Sequence, residues 1–227
     1  MQLQGTLIKY NENELPSNFV SIAVFLDGNI PKHAAILIRH KSSDYLYHYP
    51  GFRNPPMVEE GYNYENVLIY KILDFFDTED ESDVGAFLQY CKRVCQQTSV
   101  TYGYIMDGSS YDNQGRYQTL SGLPEIATCV GFCVNTLTNA ITDIESSYFN
   151  LEDWDSSGVD PGVDQWSIDE ATRKYKSLDW NNYNAFKKRI TPLEYLCSAF
   201  CEVYPINKET IKRIQPFIET EIERKLA

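Results

Sequence analysis

Three runs rich in β-forming residues follow one another closely near the start of the chain. They cover residues 19–27 (FVSIAVFLD), 33–40 (HAAILIRH) and 44–50 (DYLYHYP), and turn-forming segments separate them. Residues 65–76 and 101–106 have the same character. Short turns between such runs predict neighbouring antiparallel strands of one sheet.

The later part of the chain is dominated by helical spacing of apolar residues. This spacing predicts helices over residues 84–97, 123–141, 191–204 and 207–226. Pro216 is expected to kink or break the last of them. Strands first and helices afterwards predict an α+β fold.

The composition excludes several classes of protein. The 227 residues are 43% hydrophobic and 23% charged, as in globular proteins. A net charge of −12 argues against non-specific binding to nucleic acid. No apolar run approaches the roughly 20 residues needed to cross a bilayer, and residues 1–19 lack a signal-peptide pattern. We therefore expect a soluble, cytoplasmic protein without a membrane span.

The six cysteines form three C-x-x-x-C pairs in predicted helices. Cysteines four residues apart share a helix face, but their nearly parallel Cβ vectors disfavour a disulfide. Two pairs could give zinc four thiolates, or each pair could pack as small hydrophobic residues. We expect packing and no zinc. The pairs are Cys91/Cys95, Cys129/Cys133 and Cys197/Cys201.

An acidic segment, DWDSSGVDPGVD at residues 153–164, resembles a calcium loop in its spacing. Asp153, Asp155 and Ser157 alternate, and Asp164 stands at the twelfth position. Pro161 and the final Asp in place of Glu depart from the pattern. We therefore expect a solvated acidic loop, no calcium and no other cofactor.

All three histidines lie within 16 residues, at positions 33, 40 and 48. Antiparallel pairing of two predicted strands would bring His33 and His48 to the same end of the sheet. Period-two alternation places His40 on the opposite face from His33. The alternative is that His33 and His48 are ordinary, half-exposed strand residues.

Cys129 follows Thr128, a good N-cap residue, and so is expected in the first turn of a helix. The helix dipole and the unpaired N–H groups there stabilise a thiolate, and the same N–H groups can hold an oxyanion. The pKa of Cys129 is therefore expected to be lowered. Cys133, one turn later on the apolar face, is expected to be core.

These residues together resemble the circularly permuted papain-like hydrolases. A strand that begins with His (KHAAILIRH), a next strand with a second polar residue (DYLYHYP) and a later helix that opens TCVGFC match in order. The group includes NlpC-type amidases, lecithin retinol acyltransferase relatives and PPPDE-type isopeptidases. The resemblance covers residues 19–141. Thr128 is a departure, because several branches have Asn before the nucleophile.

The resemblance implies a fold and a set of site residues. The fold is an antiparallel sheet packed on the nucleophile-bearing helix, in a catalytic domain that we expect to span residues 1–172. Residues 173–227 lie outside the resemblance, and we expect them to form a helical C-terminal extension packed on the same domain. Position by position, Cys129 matches the nucleophile, His33 the base and His48 the orienting residue. Phe132 matches an aromatic that packs into the core.

The expected function is that of a cysteine hydrolase or acyltransferase, of the peptidase or amidase type. It would act on an amide, isopeptide or ester through a thioester at Cys129. The alternative is a catalytically silent interaction, adaptor or immunity-type protein that keeps the fold. Residues 117–172 contain 10 acids and no Lys or Arg, which favours a cationic peptide, amide or acyl substrate.

Overall fold

A six-stranded antiparallel sheet forms the centre of the protein in a computed structural model, which describes residues 6–11, 15–62, 64–141 and 147–227. The strand order is β1-β6-β2-β3-β4-β5, and every pairing is antiparallel. The strands are β1 Ile8–Lys9, β2 Phe19–Asp27, β3 Ile30–His40, β4 Ser43–His48, β5 Met57–Glu60 and β6 Leu68–Ile72.

Two tight hairpins set the register of the three central strands. Gly28 has a φ of 60° in the turn between β2 and β3, and Lys41 and Ser42 have φ values of 53° and 63° between β3 and β4. Two consecutive left-handed residues are typical of a type I′ turn, whose twist matches that of the strands. The three predicted strands are confirmed, although β3 begins three residues earlier than predicted.

Six α-helices and four short strands complete the described part of the chain, so the architecture is α+β. The strand β7 pairs in parallel with β10, and β8 pairs with β9. The helices are α1 Glu81–Gln97, α2 Cys129–Ile141, α3 Pro161–Lys174, α4 Trp180–Ala185, α5 Pro192–Ser198 and α6 Lys208–Leu226; the short strands are β7 Thr101–Tyr102, β8 Ser110–Tyr111, β9 Tyr117–Gln118 and β10 Ile126–Ala127.

The two faces of the sheet belong to different hydrophobic clusters. Ala34, Ile36 and Ile38 of β3 pack with buried residues of α1, α2, α5 and α6. The alternate residues Ala35 and Leu37 pack with aromatic and aliphatic residues of β2 and β6. This separation follows from the period-two alternation of side chains along a strand. The helix that carries Cys129 thus covers one face only.

The last part of the chain packs into the same core as α2. Ile211, Ile214, Ile218 and Ile222 of α6 are buried with residues of α1 and α2, and α5 contacts β2 and β3. The capping box predicted by Thr191 and Glu194 is present at the start of α5. No helix in the described residues is long and apolar enough to span a membrane.

Several predicted boundaries are wrong for identifiable reasons. The strand predicted at 101–106 ends at Tyr102, and that predicted at 65–76 covers only Leu68–Ile72. The helix predicted from 123 begins at Cys129, because Ile126–Ala127 pairs with β7. The helix predicted to reach 204 ends at Ser198.

Pro216 does not break α6, which runs continuously to Leu226. Its exposed position allows solvent to hydrate the carbonyl that the proline leaves unpaired. Residues 1–5 and 12–14, on which part of the signal-peptide prediction depends, lie outside the described residues.

Candidate functional site

The β3–β4 hairpin brings His33 and His48 into direct contact. Ala35 pairs with His48, so the two imidazoles are diagonal neighbours on one face of the sheet. His33 Nε2 lies 2.9 Å from His48 Nδ1, and the two rings are nearly perpendicular. The predicted proximity of these histidines is therefore confirmed.

A carboxylate on the edge strand extends this contact into a chain of hydrogen bonds. Glu59 of β5 lies with Oε2 3.0 Å from His48 Nε2. Because a carboxylate only accepts, His48 Nε2 donates to it, and His48 Nδ1 accepts from His33 Nε2. His33 Nδ1 is then an acceptor, and within the described residues the His33 side chain makes no other hydrogen bond.

Burial keeps both imidazoles neutral. It lowers the pKa of His33 to about 3, and the adjacent His48 contributes in the same direction. Burial also lowers the pKa of His48, although the hydrogen bond and the charge of Glu59 oppose this. Phe25 lies against both rings at centroid distances of 5.3 Å and 6.0 Å.

Glu59 and a second residue, Tyr64, were not predicted from the sequence. The Tyr64 hydroxyl donates to the same Glu59 oxygen that His48 contacts, and its ring packs edge-on against Phe25. The only signal for Glu59 is an acid 11 residues after His48. It becomes meaningful only once β5 is known to pair with β4.

Cys129 is the first residue of α2, as the sequence predicts. The hydroxyl of Thr128 accepts a hydrogen bond of 3.1 Å from the Gly131 N–H, which confirms the predicted N-cap. The backbone N–H of Ala34, the residue after His33 on β3, lies near enough to the Cys129 sulphur to lower the pKa of the thiol. The thiol therefore lies against the backbone of the strand that carries the proposed base.

The expectation of a lowered pKa for Cys129 is wrong. Burial raises the pKa of the thiol above its ordinary value. The N–H groups of Ala34, Val130 and Cys129 itself, together with the charge of Arg189, oppose this rise but do not overcome it. The residue is only 8% exposed, so desolvation of a thiolate outweighs the helix N-terminus.

The structure brings together some of the predicted site residues and not others. His33, His48 and Glu59 form one hydrogen-bonded chain. Cys129 lies near Ala34 in the cluster on one face of the sheet, whereas the His33 ring packs with Phe25 on the opposite face, so the structure does not bring the thiol and this imidazole together. Within the described residues, no hydrogen bond joins the Cys129 thiol to an imidazole. His40 lies against Gly85 of α1, on the other face from His33 as predicted.

Cys133 and the acidic segment make contacts that stabilise the fold. Cys133 is fully buried near Tyr195, and Phe132 stacks on Tyr47 at 4.9 Å, both as predicted. Asp160 caps α3, and Asp164 forms an ion pair of 2.8 Å with Lys187. In the described ranges, no three His, Cys, Asp or Glu side chains are grouped to hold a metal ion.

Comparisons with protein-family models, with curated proteins and with solved structures found no match for this chain.

Proposed function

We propose that this protein is a cysteine hydrolase or acyltransferase with a permuted papain-like arrangement of its site. One observation carries the proposal. A hydrogen-bonded chain runs from Glu59 through His48 to His33, and the backbone N–H of the next residue on the strand, Ala34, lies near enough to Cys129 to lower the pKa of its thiol. An oriented imidazole and a thiol at a helix N-terminus are the parts that acyl transfer requires.

The raised pKa of Cys129 and the lowered pKa of His33 determine how the first step proceeds. Both groups are neutral in the resting protein, so the thiol must lose its proton as it attacks. His33 Nδ1 takes this proton while the sulphur forms a bond to the substrate carbonyl carbon. The imidazolium is stabilised by His48, which in turn donates to Glu59.

The N–H groups of Cys129 and Val130 receive the negative charge that develops on the carbonyl oxygen. They stand at the unpaired end of α2, where they already lower the pKa of the thiol. When the tetrahedral intermediate collapses, the carbon–leaving-group bond breaks and the imidazolium gives its proton to the departing amine or alcohol. A thioester to Cys129 remains.

Water or another acceptor completes the reaction by the reverse sequence. His33 takes the proton of the attacking oxygen or nitrogen, the carbon–sulphur bond breaks, and the proton returns to the thiol. Each half of the reaction requires contact between the Cys129 sulphur and His33 Nδ1. In the structure the His33 ring packs with Phe25 on one face of the sheet and Cys129 belongs to the cluster on the other face, so the start of β3 must rearrange before this contact can form.

A panel of amide, isopeptide, ester and thioester substrates tests this proposal, with an electrophilic thiol probe as a second readout. We expect Cys129→Ala and His33→Ala to lose activity by several orders of magnitude. His48→Ala should lose less, because it acts by orienting His33. His40→Ala is the matched control, since it replaces a histidine of the same strand outside the hydrogen-bonded chain.

One alternative is supported by a specific observation. The raised pKa of Cys129 and the absence of a thiol–imidazole hydrogen bond in the described residues are also what a catalytically silent binding protein would have. Wild-type protein that is inactive on every substrate, and is labelled no faster than Cys129→Ala, would favour this alternative.

A further inference from the structure

A groove beside Cys129 carries features that the proposed chemistry does not use. It encloses about 280 Å³ between the segment that follows β4, the start of β7 and the helix α3. Tyr49 and Tyr102 line it, and both are close enough to Cys129 for a charge on its sulphur to raise the pKa of their phenols. Two residues of the groove lining therefore lie near the thiol, although the buried Cys129 is not itself part of the lining.

One wall of the groove is an aromatic platform. The Phe52 ring is 56% exposed, stacks on Tyr102 at 5.4 Å and contacts Trp166 at 4.9 Å. A single exposed ring is common on protein surfaces, but here three aromatic rings form one contiguous patch beside a groove, and contiguous apolar patches mark interaction sites. A stacked and exposed ring is a suitable surface for an aromatic or aliphatic side chain of a ligand.

Backbone geometry holds this platform in place at an energetic cost. Gly51, Phe52 and Arg53 all have left-handed φ values, 75°, 49° and 78°. For residues other than glycine this region is unfavourable, and such strain concentrates at functional sites. A Cβ atom at Gly51 would lie 2.7 Å from the Tyr102 ring, so only glycine allows the segment to approach so closely.

Two cations line the groove in a chain of net charge −12. Lys174 donates to the Ser99 carbonyl at 2.6 Å and to the Thr101 hydroxyl at 2.9 Å, and no carboxylate of the described residues lies within ion-pair distance of it. Arg53 makes one long contact of 3.4 Å with Glu170 and keeps 71% of its side chain exposed.

The single carboxylate in the groove lining is already engaged. Glu170 also forms an ion pair with Arg173, one turn later on α3. The guanidinium of Arg53 therefore retains N–H groups in the fork geometry that matches a carboxylate. The Thr98 hydroxyl, also in the lining, is buried and has no partner in the described part of the chain.

We propose that this groove binds a peptide with an acidic side chain next to an aromatic residue. The carboxylate pairs with Arg53 near Lys174, and the aromatic ring packs on Phe52 and Trp166. This differs from the cationic substrate expected from the sequence, because most acids of residues 117–172 do not line the groove. The inference rests on the proposed function only in assigning this ligand as the substrate.

Calorimetric titration of full-length Cys129→Ala protein measures binding without turnover. The two probes are acetyl-Gly-Phe-Glu-Gly-amide and acetyl-Gly-Phe-Gln-Gly-amide, which differ only in one charge. We expect the Glu peptide to bind about tenfold more tightly, as one charge-assisted pair provides. Arg53→Gln, made in the same background, should remove the difference.

Lys212→Gln is the control, because it removes an exposed positive charge on α6 outside the groove. It should leave the preference unchanged. Equal affinities for the two peptides, or no binding of either at millimolar concentration, would overturn the inference. A charge preference in a protein whose wild type is inactive would refute the proposed function alone. Turnover without that preference would refute the groove assignment alone.

Discussion

Replacing His33 by Gln should make the protein less sensitive to acid. Burial holds the pKa of His33 at about 3 in the folded protein, whereas an unfolded histidine titrates near 6.5. Between these values the unfolded chain binds one proton more than the folded one, so stability falls as the pH falls. Above pH 6.5 both states are neutral at this position and the effect vanishes.

The size of this loss of stability follows from the difference between the folded and unfolded pKa values of His33. Each pH unit below 6.5 costs about 1.4 kcal/mol of stability, so lowering the pH from 7.5 to 4.5 costs about 2.5 kcal/mol through His33 alone. This is an upper value, because part of the side chain contacts solvent. Gln keeps an N–H for the His48 nitrogen but does not titrate, and so the variant should lack this loss.

Urea unfolding monitored by circular dichroism gives the free energy of unfolding of the wild type and of His33→Gln at pH 7.5 and at pH 4.5. The contribution of His33 is the stability that the wild type loses between these pH values minus the stability that the variant loses. Carboxylates and other groups titrate in both proteins and largely cancel. His40→Gln is the control for removing a histidine as such. If wild type and His33→Gln lose the same stability between the two pH values, His33 is not held neutral by burial and the reasoning fails.

Three further predictions concern the start of α2 and His33. Thr128→Ala should lower the free energy of unfolding by about 1 kcal/mol, because it removes the cap on the Gly131 N–H, and Thr128→Ser should restore it in the same urea assay. The Cys129 thiol, with its raised pKa, should react with iodoacetamide at pH 7 more slowly than glutathione does, and faster labelling by mass spectrometry would contradict the burial argument. For any substrate that is found, kcat/KM should show no acid limb near pH 6.5, since His33 stays neutral down to about pH 3; an inflection at 6.5 assigned to His33 would contradict this.

Local sequence signals predicted the parts of the fold that depend on local physics. The hairpins around β3 follow from turn residues and alternation, and Thr128 predicts the cap of α2 through its side chain alone. The α+β class followed from strand patterns in the first part of the chain and helix patterns in the later part. The cap signal of Thr128 placed the start of α2 correctly, whereas the apolar pattern began too early, at residue 123, because Ile126–Ala127 pairs with β7 across 25 positions, as in Ile126 with Thr101.

The candidate site was only half predictable for the same reason. His33 and His48 are adjacent through a two-residue turn, and this adjacency can be read from the sequence. Glu59 joins them through a four-residue edge strand with no recognisable pattern. The pKa of Cys129 depends on burial under residues far away in sequence, such as Tyr49 and Tyr102, and so the helix position alone gave the wrong sign.

The packing of α2 on the first strands also determines when the site can form during folding. The Tyr47 hydroxyl meets Thr136 across 89 positions, and Tyr195 donates to the Ala35 carbonyl across 160. Contacts of such high sequence separation are costly in loop-closure entropy and form late. The hairpin that carries both histidines can form early from its own turns. The helix α2 can pack on this hairpin only after about 90 further residues have been synthesised, and α5 only after about 160, so a chain that ends before α2 would carry the two histidines without Cys129.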